Sequence, residues 1–335
     1  MPAKHLLRWL PALAAGTLAA AAWGQAIVSA RAGAIHHLEG RVLVDGEPIE
    51  KKFGEFPNLA EGSLLCTELG RAELLLAPGV ILRLGEHSTL RMLSTLVTDS
   101  KFELVAGTAL IEAMDILPDN SLTALVGGSE ILILDKGLYR ITAQPAELRV
   151  YKGKASVRVG DRKLAIKKGR MVPLEAETLV AHRFDARQTD ALYRWSARRS
   201  GYLALANISA AKSLLDWGVP WRASGWYWNP YFGMFTFIPA SGLFHSPFGY
   251  SFWSPSRVSY YLYPPQPAAR GWGGGLERYN PDLGYVTVSG RSAGAAPTPA
   301  PQAATVDVPA MPEIDSPRTG GSASPRGEAS CSGCR

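Results

Sequence analysis

Two short spacings in this chain could carry chemistry. Ser209-Ala-Ala-Lys212 places a hydroxyl one helical turn from an amine, the pairing of a serine nucleophile with a lysine base. Cys331-Ser-Gly-Cys334 has the spacing of a redox pair or of half a metal site. Both lack the companions such sites need: no usable Ser-x-Asn or Lys-Thr-Gly segment for the first, no second cysteine pair for the other. Cys331 and Cys334 therefore read as a local disulfide or as two ordinary thiols, and Cys66, in an apolar run, as a small buried hydrophobe.

His36 and His37 are adjacent, and neighbours on a strand point to opposite faces, so the two do not suit one metal ion. His87, His182 and His245 stand alone. The acids scattered over 39–177 could meet as a general acid–base pair, but no spacing selects one, and most read as solvated faces of strands. The sequence therefore points to no catalytic residue, metal ligand or cofactor.

Charge and aromatic content are more informative. Between Arg149 and Arg170 there are nine bases and one acid, Asp161. A turn at Gly160-Asp161 would pair strand 153–159 with 162–168. Lys154 and Arg158 then share an outward face, and Lys167 and Lys168 lie on the partner strand. Such a face suits an anionic partner, a phosphorylated envelope glycan or an acidic protein; its alternative role is a solvated edge kept from pairing by lysines.

Seventeen of the 31 Phe, Trp and Tyr residues fall within 217–263, where Gly and Pro are too frequent for a helix. Exposed rings there, with Trp226, Trp228 and Trp253 as candidates, could stack on sugars or anchor an interface. Otherwise the segment folds back as an irregular cap over the rest of the protein.

The elements that must position these groups follow from a repeated phrase, a glycine and then alternating apolar residues. It occurs at Gly40-Arg-Val-Leu-Val44, Gly70-Arg-Ala-Glu-Leu-Leu-Leu76, Gly79-Val-Ile-Leu-Arg-Leu84, Gly107-Thr-Ala-Leu-Ile111, Gly137-Leu-Tyr-Arg-Ile141 and Gly153-Lys-Ala-Ser-Val-Arg-Val159. Period-2 apolar runs between turn residues predict half-buried strands. Turns are marked by Asp45-Gly46, Pro78-Gly79, Pro118-Asp-Asn120, Gly127-Gly128 and Gly160-Asp161. The expected fold is all-β, sandwich-like or β-solenoid-like, over 33–184.

Residues 185–216 lose that period and predict a linking helix capped by Asp185. Leu192, Trp195, Tyr202 and Leu203 approximate its packing face, with Arg194, Arg198 and Arg199 largely elsewhere. An aromatic Gly/Pro-rich segment covers 217–289. The Ala/Pro/Ser-rich stretch 290–335 has too few large apolar groups to fold and is expected to be disordered.

The order of the strand phrases resembles the FecR-type domain. The resemblance is carried by Gly40-Arg-Val-Leu-Val44, Leu59-Ala-Glu-Gly62, Leu65-Cys-Thr67, Gly70-Arg-Ala-Glu-Leu74, Gly79-Val-Ile-Leu-Arg-Leu84, Ser88-Thr-Leu90, Leu104-Val-Ala-Gly107 and Val150-Tyr-Lys-Gly-Lys-Ala-Ser-Val157. Ser63 stands where that family often has Asp. The resemblance implies an extracytoplasmic β-domain. Its best-known members relay a signal to a cytoplasmic sigma factor and carry an anti-sigma region and a transmembrane helix ahead of the domain.

Here the preceding residues read differently. Residues 1–26 have the pattern of an export signal: Lys4 and Arg8, a 15-residue apolar stretch from Trp9 to Trp23, and Gly24-Gln-Ala26 at the cleavage position. The formal charge of +6 falls to +4 without Lys4 and Arg8, too mild an excess to suggest nucleic acid as a partner. The expectation is a periplasmic or secreted, non-enzymatic FecR-domain protein that binds or senses an envelope or secreted partner. It would make no direct sigma-factor contact and keep no span after cleavage. The alternative is an envelope glycan-binding or structural protein using the aromatic segment.

Overall fold

The computed structural model describes residues 27–28, 32–50, 52–262, 276–280 and 284–288. The expected export signal, the tail 290–335 and Cys331 with Cys334 lie outside the described residues. No helix among the described residues is long and apolar enough to cross a membrane.

The glycine-led phrases form strands of one fifteen-stranded sheet, so the fold is all-β with a helix laid against it. Its pairs are antiparallel apart from Asp99–Ala106, which runs parallel to Ser121–Val126. The all-β expectation holds, with a strand order that crosses over rather than a simple meander. Inward side chains from almost every strand meet in one core, including Leu74, Leu82, Ile111, Tyr139, Leu148 and Val157. The sheet must therefore curl over its own inner face.

Turn chemistry sets the register. Asp45 (φ 51°) and Gly46 (φ 85°) both take positive φ, as do Gly127 and Gly128 (φ 53° and 75°), which gives the tight two-residue hairpins expected of these pairs. Gly40 and Gly70 sit opposite each other in the ladder. A Cβ on Gly40 would fall 2.1 Å from the Leu69 carbonyl oxygen, so the strands cross there only because neither residue has a side chain.

The helix α1 spans Ala191–Asp216 and starts later than expected. Asp190, not Asp185, caps it: the Asp190 carboxylate accepts from the Tyr193 N–H at 2.8 Å and pairs with Arg140. Asp185 instead accepts from the Arg187 N–H in a local turn. Leu192, Trp195 and Leu203 are buried as expected, whereas Tyr202 is exposed.

The aromatic segment is more regular than an irregular cap. It contains the hairpin Gly225–Asn229/Met234–Ile238, joined at its edge by Ile27–Val28, and a smaller hairpin Leu243–His245/Ser251–Trp253. Both pack on α1 and on the outer face of the sheet, where Leu75, Ile81, Leu203, Phe237 and Phe252 share a second core. A separate unit begins at Pro265, and in it the hairpin Leu276–Asn280/Gly284–Val288 is described.

Candidate functional site: a buried charge cluster and a basic hairpin

Strands Leu64–Leu75, Val80–Leu84 and Thr108–Ala113 lie side by side. Period two sends Ala72, Leu74, Leu82, Ile111 and Ala113 into the main core and leaves Glu73, Arg83 and Glu112 on the opposite face. The expectation for such acids was solvent. Instead all three side chains are fully buried, because α1 and the aromatic hairpins cover that face. Arg199 of α1, expected on the outer side of the helix, points inward and is 5% exposed.

These residues form one cluster. Arg83 donates through Nε to Glu73 Oε2 at 2.7 Å and through Nη1 to Glu112 Oε2 at 2.6 Å. Arg199 Nη2 reaches Glu73 Oε1 at 2.8 Å. Ser200 donates its hydroxyl to Glu112 Oε1 at 2.7 Å, and Ser246, from the second hairpin, donates to the same oxygen. Two carboxylates and two guanidiniums balance. Arg83 Nη2 and Arg199 Nε nonetheless find no acceptor among the described residues, so the cluster is not fully satisfied.

His36 enters through a bulge between Ile35 and His37 that breaks the regular alternation. The Phe235 backbone N–H donates to His36 Nε2 at 2.9 Å, which makes that nitrogen the acceptor. The proton therefore sits on Nδ1, which donates to Glu73 Oε1 at 2.8 Å. Burial lowers the His36 pKa below its ordinary value despite the Glu73 contact. Burial alone would raise Glu73, but Arg199, Arg83 and the His36 hydrogen bond outweigh it and hold the carboxyl well below its usual range. The bulge leaves His37 on the same side, its ring 6.3 Å from that of Trp195 and 3.2 Å from Glu39, so the expectation that the two histidines point to opposite faces does not hold.

The geometry ties three parts of the chain together. Glu73 gathers the sheet, α1 and, through His36, the backbone of the first aromatic hairpin; Glu112 gathers the sheet, α1 and the second hairpin. Asn207 completes the tie, donating to the carbonyls of Phe237 and Trp253 at 2.9 and 3.0 Å and accepting from the Trp253 N–H at 2.7 Å. Sequence reasoning missed this cluster. One signal was available: Leu74-Leu75-Leu76 and Val80-Ile81-Leu82 are apolar on both strand faces, the mark of a sheet covered twice.

The other candidates fall as follows. Lys212 pairs with Asp216, and the Ser209 carbonyl accepts from Ser213. Cys66 is buried as expected but is disulfide-bonded rather than a free thiol. Trp226 is 4% exposed and packs in the second core, so it is not an open platform. Trp228 is half-buried, edge-on to Phe53, Phe56 and Phe235. Trp253 is half-buried beside Tyr261, ring centroids 5.1 Å apart.

Strands Lys154–Val159 and Arg162–Lys167 do form a hairpin at one end of the sheet. Lys154 lies directly opposite Lys167, and Arg158 opposite Lys163, with Ser156 and Ala165 paired between them. Two like-charged pairs thus stand about 13 Å apart, four strand residues, over a floor of small side chains. Arg158 pairs with Glu130, while Lys154, Lys163, Lys167 and the neighbouring Lys168 are exposed and make no ion pair among the described residues. Like charges placed directly opposite oppose strand pairing.

No family model and no curated protein matches the chain. Two crystal structures, each of a candidate anti-sigma factor from Parabacteroides distasonis, are similar to part of it. One is 13% identical over 41% of this chain and 63% of that chain, with a TM-score of 0.33. The other is 15% identical over 46% of this chain and 72% of that chain, also with a TM-score of 0.33. The first overlap is less than two thirds of that protein's length, and neither assigns a function.

Proposed function

We propose that this chain is a non-enzymatic, exported FecR-type protein that binds an anionic envelope partner on its basic hairpin. The observation that carries the reading is the pairing of Lys154 with Lys167 across the ladder, neither lysine holding an ion pair among the described residues. Such repulsion lowers the stability of the hairpin unless a partner neutralises it. The buried charge cluster supports the same reading from the other side. Its hydroxyls and carboxylates are spent on one another, fixing the helix and aromatic hairpins against the sheet. Export rests on the pattern of residues 1–26.

The test is retention of the full chain on a phosphorylated polyacrylamide matrix and on the same matrix without phosphate. Retention on the phosphorylated matrix alone, weakened by salt and by the double change Lys154→Gln/Lys167→Gln, is the expected result. Equal retention on both matrices, or retention indifferent to those lysines, refutes the hairpin as the binding face. Cell fractionation that finds the chain in the cytoplasm refutes export.

A further inference from the structure

A cleft of about 130 Å³ opens beside strand Ala34–Val44, walled by Phe53, Phe56, Phe232 and Gly233 and rimmed by Glu50, Lys52 and Glu55. Two of its aromatic rings face water. Phe53 is 81% exposed and Phe232 40% exposed, and Tyr231, one residue before Phe232, is 86% exposed. Phe53 is nevertheless held in place. Its ring rests on Gly233, where an added Cβ would fall 2.4 Å from the ring edge, and stands edge-on to Trp228 at 6.1 Å. A fixed aromatic ring presented to water costs hydrophobic free energy that a ligand would recover.

We propose that this cleft binds a neutral saccharide, one ring seated against Phe53 and Phe232 with its hydroxyls bonded to Glu50 and Glu55. The chemistry of the lining selects that class. A sugar ring has an apolar C–H face for the aromatics and a rim of hydroxyl donors for the carboxylates, bonds that are strengthened by the acceptor's charge. Among the described residues of the rim, an anion would meet two carboxylates against one lysine. A phenyl side chain from a protein partner would meet the rings but offer no donor to Glu50 or to Glu55, whose carboxylate already faces Lys52 at 3.8 Å. A wider groove of about 600 Å³ shares Glu50, Lys52, Glu55, Phe56 and Pro57 and continues past Pro48 and Ile49, leaving space for neighbouring residues of an oligosaccharide.

The cleft and the basic hairpin share no residue, so the two sites can be tested apart. Titration of the full chain with tetramers of glucose, mannose and N-acetylglucosamine, followed by calorimetry and by tryptophan fluorescence, reads the binding. At least one tetramer should bind, Phe53→Ala should weaken it about tenfold or more, and Phe53→Trp should retain it. The melting midpoint should not move, because Phe53 is exposed. Lys154→Gln/Lys167→Gln should leave saccharide binding unchanged. Absence of binding by all three tetramers overturns the proposal. So does binding that survives both Phe53→Ala and Phe232→Ala, or capture of a phenylalanine-bearing peptide in place of every sugar.

Discussion

Glu73 and Arg199 are 126 residues apart in the chain and meet at 2.8 Å in a place water does not reach. Their contact ties the helix to the sheet. It also sets the energetic risk, because a buried charge deprived of its partner costs far more than a surface pair is worth. Arg199→Met should therefore destabilise the protein by about 3–5 kcal/mol. Arg198→Met, one residue away on the exposed side, should stay within about 0.5 kcal/mol. Denaturant unfolding of the two variants measures the difference, and similar midpoints would remove the cluster from the account of stability.

Acid should weaken the same interface in two steps. His36 has its folded pKa below 6.5, so just below pH 6.5 the unfolded chain takes up a proton that the folded chain refuses. Stability consequently falls as pH falls through that window. Glu73 has its folded pKa well below 4.5 and adds a second loss beneath that pH. Arg83, Arg199 and Glu112 belong to the same cluster, and Asp190 and Glu39 join the second step, their pKa values also lowered. His36→Gln keeps a donor and an acceptor but does not titrate. It should flatten the pH dependence between 6.5 and 4.5 and leave the lower step; an unchanged slope in that window would clear His36 of the role.

The strands, their turns and the helix were legible because each is decided locally. Asp45-Gly46 and Gly127-Gly128 specify positive φ wherever they stand, and Leu74, Leu82 and Ile111 declare an inward face by alternation. The charge cluster was not legible, because Glu73, Arg83 and Glu112 alternate just as solvent-facing residues would. What buries them is a helix that docks from far along the chain. His37 was obscured for another reason: a bulge at Ile35–His37 sets it on the face of His36, where alternation assigns the opposite one. Phe53, the exposed wall of the cleft, has no neighbour in sequence that marks it, and its placement depends on a glycine in a distant turn.

Asn207 offers a test of how the aromatic hairpins are held. Its amide bonds to the backbones of both hairpins, at Phe237 and Trp253. Asn207→Ala orphans two carbonyls and one N–H in a buried setting, each worth about 1–3 kcal/mol when unsatisfied. A loss of more than about 3 kcal/mol is expected, with hydrogen exchange rising at Trp253 before it rises in the sheet. Uniform exchange across both regions would mean that the hairpins and the sheet unfold as one unit.

The three tryptophans of the aromatic segment should separate by burial rather than by composition. Trp226 lies in the second core against Phe237, ring centroids 6.0 Å apart, so Trp226→Ala should cost about 3–5 kcal/mol, the scale of a core aromatic. Trp253 keeps only a partly buried contact with Tyr261, and its backbone is held by Asn207 whatever the side chain is, so its truncation should cost about 1–2 kcal/mol. Trp228 stands between them in stability but supports Phe53, so Trp228→Ala should weaken saccharide binding while Trp253→Ala does not. Melting midpoints and saccharide titration on the same samples decide the matter. A Trp226→Ala variant that melts with the parent would show that the second core does not depend on the segment, and equal saccharide affinity across all three variants would detach the cleft from it.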